Sequence, residues 1–155
     1  MARTIILRTA REKADLVNSW HRPDEEFFAS GACHVLAAAF LARYPDAGFS
    51  AWRLRPRAPH VCGAHVVVAR EDSVFDWAGY AARSDFLAEY HAAMRALIPD
   101  WSAELTQLTE DPVGWDFCNA RQHRHPSQFP HDPLPRALAH LRKFPAPRAT
   151  DSRPL

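Results

Sequence analysis

The fold of this chain is decided by residues 30–44, which read SGACHVLAAAFLARY. The stretch is alanine-rich and apolar on nearly every side, and Pro45 stops it, so it predicts a helix over residues 32–44. Ser30 or Gly31 is the expected N-cap. Because such a helix has little polar surface to expose, it predicts a central helix packed closely against a sheet.

A hairpin downstream supplies part of that sheet. Residues 65–77 read HVVVAREDSVFDW, two β-rich runs around a short polar turn, and they predict two antiparallel strands. If Val68 pairs with Ser73, His65 stands directly opposite Asp76, because antiparallel partners keep a constant index sum. Paired residues share one face of the sheet, so the two side chains are expected to meet.

The rest of the chain predicts an α+β domain in which helices cover a small antiparallel sheet. Further strands are expected at 4–7 and 49–54, and further helices at 11–20, 84–98 and, for a turn or two, 101–108. Arg, His and Pro become frequent after residue 120, so the globular domain is expected to span residues 1–119. Residues 120–155 are expected to form an Arg/His/Pro-rich tail with a short helix at 133–144.

The composition fits a soluble globular protein. Of the 155 residues, 47% are hydrophobic and 24% are charged, which favours one folded domain over a disordered chain. The net charge of +1 gives no overall field for binding nucleic acid or anionic lipid. Three cysteines are too few for a disulfide scaffold and indicate reduced thiols.

No stretch of the chain predicts export or membrane insertion. The N-terminal apolar run covers only residues 5–7, and the longest apolar run elsewhere, residues 35–42, is too short to span a bilayer. A cytoplasmic location is therefore expected, with secretion by a route that leaves no N-terminal signal as the alternative.

Three residues in this framework have the types and positions that acyl transfer needs. Cys33 lies in the first turn of the predicted helix, where free backbone amides and the helix dipole stabilise a thiolate. Cys33 would attack an acyl carbon, His65 would move the proton, and Asp76 would hold the imidazole tautomer. The Cys33 amide is one expected oxyanion donor, and Asn18 and His21 lie upstream where a second can come from.

The order of these three residues resembles the papain-like superfamily in its compact bacterial form, which includes transglutaminase-like peptidases, cell-wall endopeptidases and arylamine acetyltransferases. The resemblance rests on residues 31–37 (GACHVLA), 65–68 (HVVV) and 75–79 (FDWAG), and it extends to small bacterial proteins with a Gly-x-Cys-His motif. It covers residues 30–80 and implies a papain-like core with a nucleophile, base and orienting acid at the three positions. The predicted tail has no counterpart in that family.

His34 and Trp77 are the predicted substrate-binding residues. His34 is one residue further round the helix than Cys33, so it is expected to be a structural hydrogen-bonding group or a neighbour of the site and not the base. Trp77 follows Asp76 and points to the opposite sheet face, where packing is its default role. A cleft lined by aromatic side chains would nevertheless accept a peptide or an acyl chain.

The remaining cysteines and histidines have simpler explanations. Cys62 and Cys118 lack a helix-start context and are expected to be structural. The alternative for these residue types is a zinc site whose members would be His60, His65 and either Cys33 or Cys62. Their spacing matches no closed zinc motif, so neither a metal nor another cofactor is expected. The cluster at residues 121–131, formed by His123, His125, His131, Arg121 and Arg124, is basic and has side chains that can bind a metal. It is expected to be a solvated tail, with docking of an acidic partner as the alternative.

Two functions follow from these residues. The first is a cysteine-dependent hydrolase or acyltransferase that acts on an amide or thioester through a covalent acyl-enzyme. The alternative is a non-catalytic binding or accessory protein that keeps the scaffold and uses its groove or basic tail to hold a partner. A peptide, amide or thioester substrate is expected, and neither nucleic acid nor a membrane.

Overall fold

A five-stranded antiparallel sheet forms the centre of the computed structural model, which describes residues 4–149. The strands are β1 Ser50–Pro56, β2 His65–Ala69, β3 Ser73–Asp76, β4 Gly79–Ala82 and β5 Ala103–Gln107. Their order across the sheet is β4-β3-β2-β1-β5. Residues 1–3 and 150–155, which include the end of the predicted tail, lie outside the described residues. The predicted α+β class is confirmed.

Helices cover both faces of this sheet. They are α1 Ala10–Ala14, α2 Leu16–Trp20, α3 Asp24–Ala29, α4 Cys33–Arg43, α5 Arg83–Leu97, α6 Trp115–Arg121 and α7 Leu134–Leu141, with a 3₁₀ turn at Pro126–Gln128. Side chains of α3, α4, α6 and α7 share a core with one face, and α5 packs on the other. Within residues 4–149, no helix combines the length and apolar composition that a bilayer-spanning segment needs.

The central helix begins at Cys33 because Gly31 makes the turn that leads into it. Gly31 has φ +118°, and a Cβ there would lie 2.5 Å from Arg8 Nη2. The N-cap is Ala32, which has no side chain that can cap. The expectation of Ser30 or Gly31 as N-cap was wrong, because the Ser30 hydroxyl instead accepts a hydrogen bond from Arg8 Nε at 3.2 Å.

The hairpin forms as predicted but with a different register. Val68 pairs with Phe75, two residues beyond the expected partner, because the turn closes tightly through hydrogen bonds between Arg70 and Ser73. Side chains alternate with a period of two, so a two-residue shift keeps His65 and Asp76 on the same face. They are diagonal neighbours and not directly opposite. The side chains still meet.

Three sequence predictions outside the hairpin were wrong. Residues 101–108 contain strand β5 and not a helix, because this segment completes the open edge of β1 while Trp101 is buried on the α5 side. Residues 4–7 form no strand. The helix expected at 11–20 is interrupted at Asp15, whose carboxylate caps the second half by accepting from a backbone N–H.

The chain after residue 119 packs into the same core as the rest. The expected domain boundary falls inside α6, and the helix expected at 133–144 is present as α7. Phe129, Ala137 and Leu141 are buried with the side chains of α4. The segment has the composition of a solvated tail, but its few apolar side chains are spaced so that they reach the α4 side of the sheet.

Candidate functional site

Cys33 is the first residue of α4 and lies at one end of a cavity of about 600 Å³. Its side chain is 5% exposed. Within residues 4–149, its backbone N–H has no hydrogen-bond acceptor, as expected in the first turn of a helix. The helix dipole and this free N–H both favour negative charge at the position of the thiol.

His65 and Asp76 form a buried pair beside Cys33. The distance from His65 Nε2 to Asp76 Oδ2 is 3.1 Å, and both side chains are 2% exposed. The other carboxylate oxygen accepts a hydrogen bond from the Ala78 N–H at 3.0 Å, which fixes the orientation of Asp76. Nε2 is bonded to the carboxylate, and Nδ1 has no hydrogen-bond partner within residues 4–149, so Nδ1 is the ring nitrogen left for proton transfer with the Cys33 thiol, whose charge acts on the His65 ring.

The pKa values of this cysteine and histidine shift in opposite directions. Burial raises the pKa of the Cys33 thiol, but the interactions with His34 and His65 outweigh burial and hold the pKa well below its usual value. Burial lowers the pKa of His65, but the bonds to Asp76 and to Cys33 outweigh it and raise the pKa to about 9. Together the shifts favour a thiolate and an imidazolium.

A ring nitrogen of His34 also lies within 4.8 Å of the Cys33 sulfur. The His34 side chain is 0% exposed, and Nε2 lies 2.7 Å from the Arg124 carbonyl oxygen. Burial lowers the pKa of His34, but interactions with Cys118 and Cys33 raise it to about 9. The expectation that His34 lies apart from the Cys33 face was wrong. Consecutive residues of an α-helix are rotated by about 100° about the helix axis. The imidazole is long enough for a ring nitrogen of His34 to approach the Cys33 sulfur despite this rotation.

His123 completes this group of polar side chains. Its ring centroid lies 4.6 Å from that of His34, and burial lowers the pKa of His123 to about 4, so this imidazole is neutral. One ligand atom each from Cys33, His34 and His123 lie within 4.8 Å of one another, so one metal ion could contact all three. The alternative zinc set does not assemble within residues 4–149, because His60 Nε2 lies 3.1 Å from Asp100 Oδ1 and the group that brings metal-ligand atoms together is Cys33, His34 and His123.

The predicted substrate-binding residues differ in access to the cavity. Trp77 lines the cavity wall, and its carbonyl oxygen lies 2.9 Å from His140 Nε2, a side chain contributed by α7. The role predicted for Trp77 stays a prediction. His34 is fully buried and therefore has no surface to offer a substrate directly.

Several residues in the cavity wall were missed by sequence reasoning. They are Arg8, Lys13, Arg53, Gln122, His123 and Gln128. The expected amide donors are not among the lining residues, because the Asn18 side chain is bonded to Asp15 at 2.6 Å and His21 lies elsewhere. The only sequence signal for part of this set was the run Arg121–Arg124, which was interpreted as a solvated tail.

No family model, curated protein or solved structure matches this chain. The function must therefore be inferred from the site itself. A helix-start thiol with a buried histidine, and a carboxylate on the far nitrogen of that histidine, is suited to nucleophilic attack and proton transfer. The cavity gives a substrate access to the thiol.

Proposed function

We propose that this chain is a cysteine-dependent hydrolase or acyltransferase with a papain-like core, acting on an amide or thioester through a covalent acyl-enzyme. The observation that carries the proposal is the buried His65–Asp76 hydrogen bond beside a helix-start cysteine. A buried carboxylate and imidazole are expensive to desolvate, so a pair placed beside a thiol is better explained by chemistry than by stability.

The proposed reaction has two halves. The Cys33 thiolate attacks the acyl carbon, and the Cys33 N–H donates to the oxyanion that forms. His65 then protonates the leaving amine or thiol, which gives a thioester on Cys33. In the second half His65 takes a proton from water or an acceptor amine, which attacks the thioester and releases Cys33. Asp76 holds the imidazole throughout.

The cavity wall also offers a second donor for the oxyanion. Gln122 lines the cavity and is the C-cap of α6, in the left-handed region with φ 57°. This conformation is uncommon for a residue with a side chain, and it ends the helix at the edge of the cavity. We assign Gln122 as the second donor beside the Cys33 N–H.

The papain-like core is supported by the placement of the three residues. Cys33 begins a central helix, His65 begins a strand packed against it, and Asp76 ends the next antiparallel strand. The helix and β2 are in close contact along their length. Proteolysis, amidase action, deamidation and transfer to an amine all use this arrangement, and the acceptor and pocket distinguish them.

The test uses p-nitrophenyl acetate as a general acyl donor. Wild-type protein should release p-nitrophenol and form an acetyl thioester that peptide mass spectrometry locates on Cys33. Cys33→Ala should abolish both, and His65→Ala should slow acylation by roughly 100-fold or more. Cys62→Ala is the matched control, because Cys62 lines the same cavity without the histidine pair. Full turnover by a folded Cys33→Ala protein would overturn the proposal.

A further inference from the structure

A concentration of positive charge surrounds the proposed nucleophile. Five basic residues line the cavity: Arg8, Lys13, Arg53, Arg121 and Arg124. No aspartate or glutamate of residues 4–149 lines it with them. The whole chain has 19 basic and 18 acidic side chains, so this local excess does not follow from composition.

These cations keep their charge unneutralised. None of the five forms an ion pair with an acidic residue in the part of the chain that the structure describes. Arg8 donates to the Ser30 and Ser19 hydroxyls, and Arg124 donates to the Lys13 carbonyl. Neutral oxygen atoms thus hold the guanidinium groups of Arg8 and Arg124 in place without cancelling their positive charge.

Arg53 is the most informative of the five. It lies on β1 opposite Val66, on the sheet face that carries α4, and its charge acts on both Cys33 and Arg121. Its Nε is buried and has no hydrogen-bond partner within residues 4–149. A buried donor without an acceptor is unfavourable, and the positive charges of Arg53 and Arg121 repel each other. An anion bound in the cavity beside Arg53 would accept from this donor and offset the repulsion.

We propose that the substrate carries an anionic group, a carboxylate or a phosphate, which Arg53 and Arg121 bind while Cys33 attacks the nearby acyl carbon. This inference rests on the proposed function. The planar guanidinium fork matches two oxygens of either group, so paired arginines suit both. A neutral amide or thioester would offer these five cations no negative charge beyond that of the Cys33 thiolate.

The experiment compares two reagents that alkylate Cys33, anionic iodoacetate and neutral iodoacetamide. The ratio of the iodoacetate rate to the iodoacetamide rate is measured for Cys33 and for the free thiol 2-mercaptoethanol. The ratio for Cys33 should be higher by about five-fold or more. Arg53→Gln should lower the ratio of the iodoacetate rate to the iodoacetamide rate at Cys33 by about five-fold, because any change in the thiolate population affects both rates equally. Arg57→Gln is the control, because Arg57 is an exposed β1-flanking arginine already paired with Glu104.

Protection by small anions then identifies the group. Succinate and inorganic phosphate are each tested for slowing the iodoacetamide reaction of Cys33, in wild type and in Arg53→Gln. Protection that is lost in the variant supports the proposal, and the stronger protector names the carboxylate or the phosphate. A ratio equal to that of 2-mercaptoethanol, with no protection, overturns the anionic substrate and leaves the proposed function intact. Failure of Cys33 to react with either reagent overturns both.

Discussion

Replacing Asp76 by asparagine tests how the site sets the charge on His65. The variant keeps the shape of the side chain but removes the negative charge that lies 3.1 Å from His65 Nε2. The imidazolium then loses its main partner, while the ring remains buried. Burial disfavours the charged form, so the pKa of His65 should fall toward or below its usual value. The thiolate at Cys33 loses its counterion as a result.

The size of the effect follows from the pKa shift. A rise in the pKa of His65 from 6.5 to about 9 corresponds to a preference of about 3 kcal/mol for the protonated form. Asp76 and Cys33 share responsibility for this rise. Losing the Asp76 contribution should cost on the order of 1–2 kcal/mol of this preference, which lowers the thiolate population on the order of ten-fold in acidic solution.

The assay is the pH dependence of Cys33 alkylation by iodoacetamide. At pH about 6 the wild-type rate should exceed that of Asp76→Asn by about ten-fold, and the difference should narrow by pH about 9 as the thiol ionises unaided. Asp72→Asn is the control, because Asp72 is an exposed acid in the same hairpin whose carboxylate pairs with Arg70 and not with His65 within residues 4–149. An Asp76→Asn protein that keeps the wild-type rate at pH about 6 would show that Asp76 does not set the charge on His65.

Three further predictions concern stability. Gly31→Ala should cost about 1–3 kcal/mol in urea unfolding, because φ is +118° and a Cβ would lie 2.5 Å from a guanidinium nitrogen; unchanged stability would count against this turn. His140→Leu should cost about 1–3 kcal/mol in thermal unfolding, because the Trp77 carbonyl, 2.9 Å from Nε2, loses its donor; a neutral effect would show that the bond is dispensable. The pKa values of His34 and His65 are raised, so the contribution of these two histidines to the free energy of unfolding is full below pH 6.5 and is lost as the pH rises through about 9. A free energy of unfolding that does not change between these pH values would contradict the two pKa shifts.

The elements that the sequence predicted well are those with a strong local pattern. The central helix was expected at 32–44 and is found at Cys33–Arg43, and the covering helix expected at 84–98 is Arg83–Leu97. The strand at His65–Ala69 has the predicted bounds. In each case a long apolar run or stripe ends at a clear stop signal, so local information is sufficient.

The elements that were missed depend on partners far away in the chain. Strand β5 has a mixed pattern and becomes a strand because β1 offers it an unpaired edge. The segment after residue 119 is polar in composition, yet Phe129 and Leu141 find their place against α4. The spacing of apolar residues depends only on residues that are close in sequence, so it cannot predict packing between segments that are far apart in the chain.

The same distinction between local and distant information applies to the residues of the candidate site. Cys33, His65 and Asp76 were found because their residue types occur at informative positions, a helix start and a strand pair. Arg53 and His123 were missed because a strand residue and a tail residue reach the cavity only through the fold. No motif in the sequence marks Arg53, and the basic run that contains His123 was interpreted as a solvated tail.

The central claim is that Cys33 is a nucleophilic thiolate in the folded protein. The most direct measurement is alkylation of the native wild-type chain at pH about 6, with Cys33, Cys62 and Cys118 followed separately by peptide mass spectrometry. A free thiol with a pKa of about 8.5 is nearly unreactive there. The account predicts that Cys33 reacts fast and well ahead of the other two. A Cys33 that reacts only after unfolding would contradict it and would favour a non-catalytic protein that binds a partner in its groove.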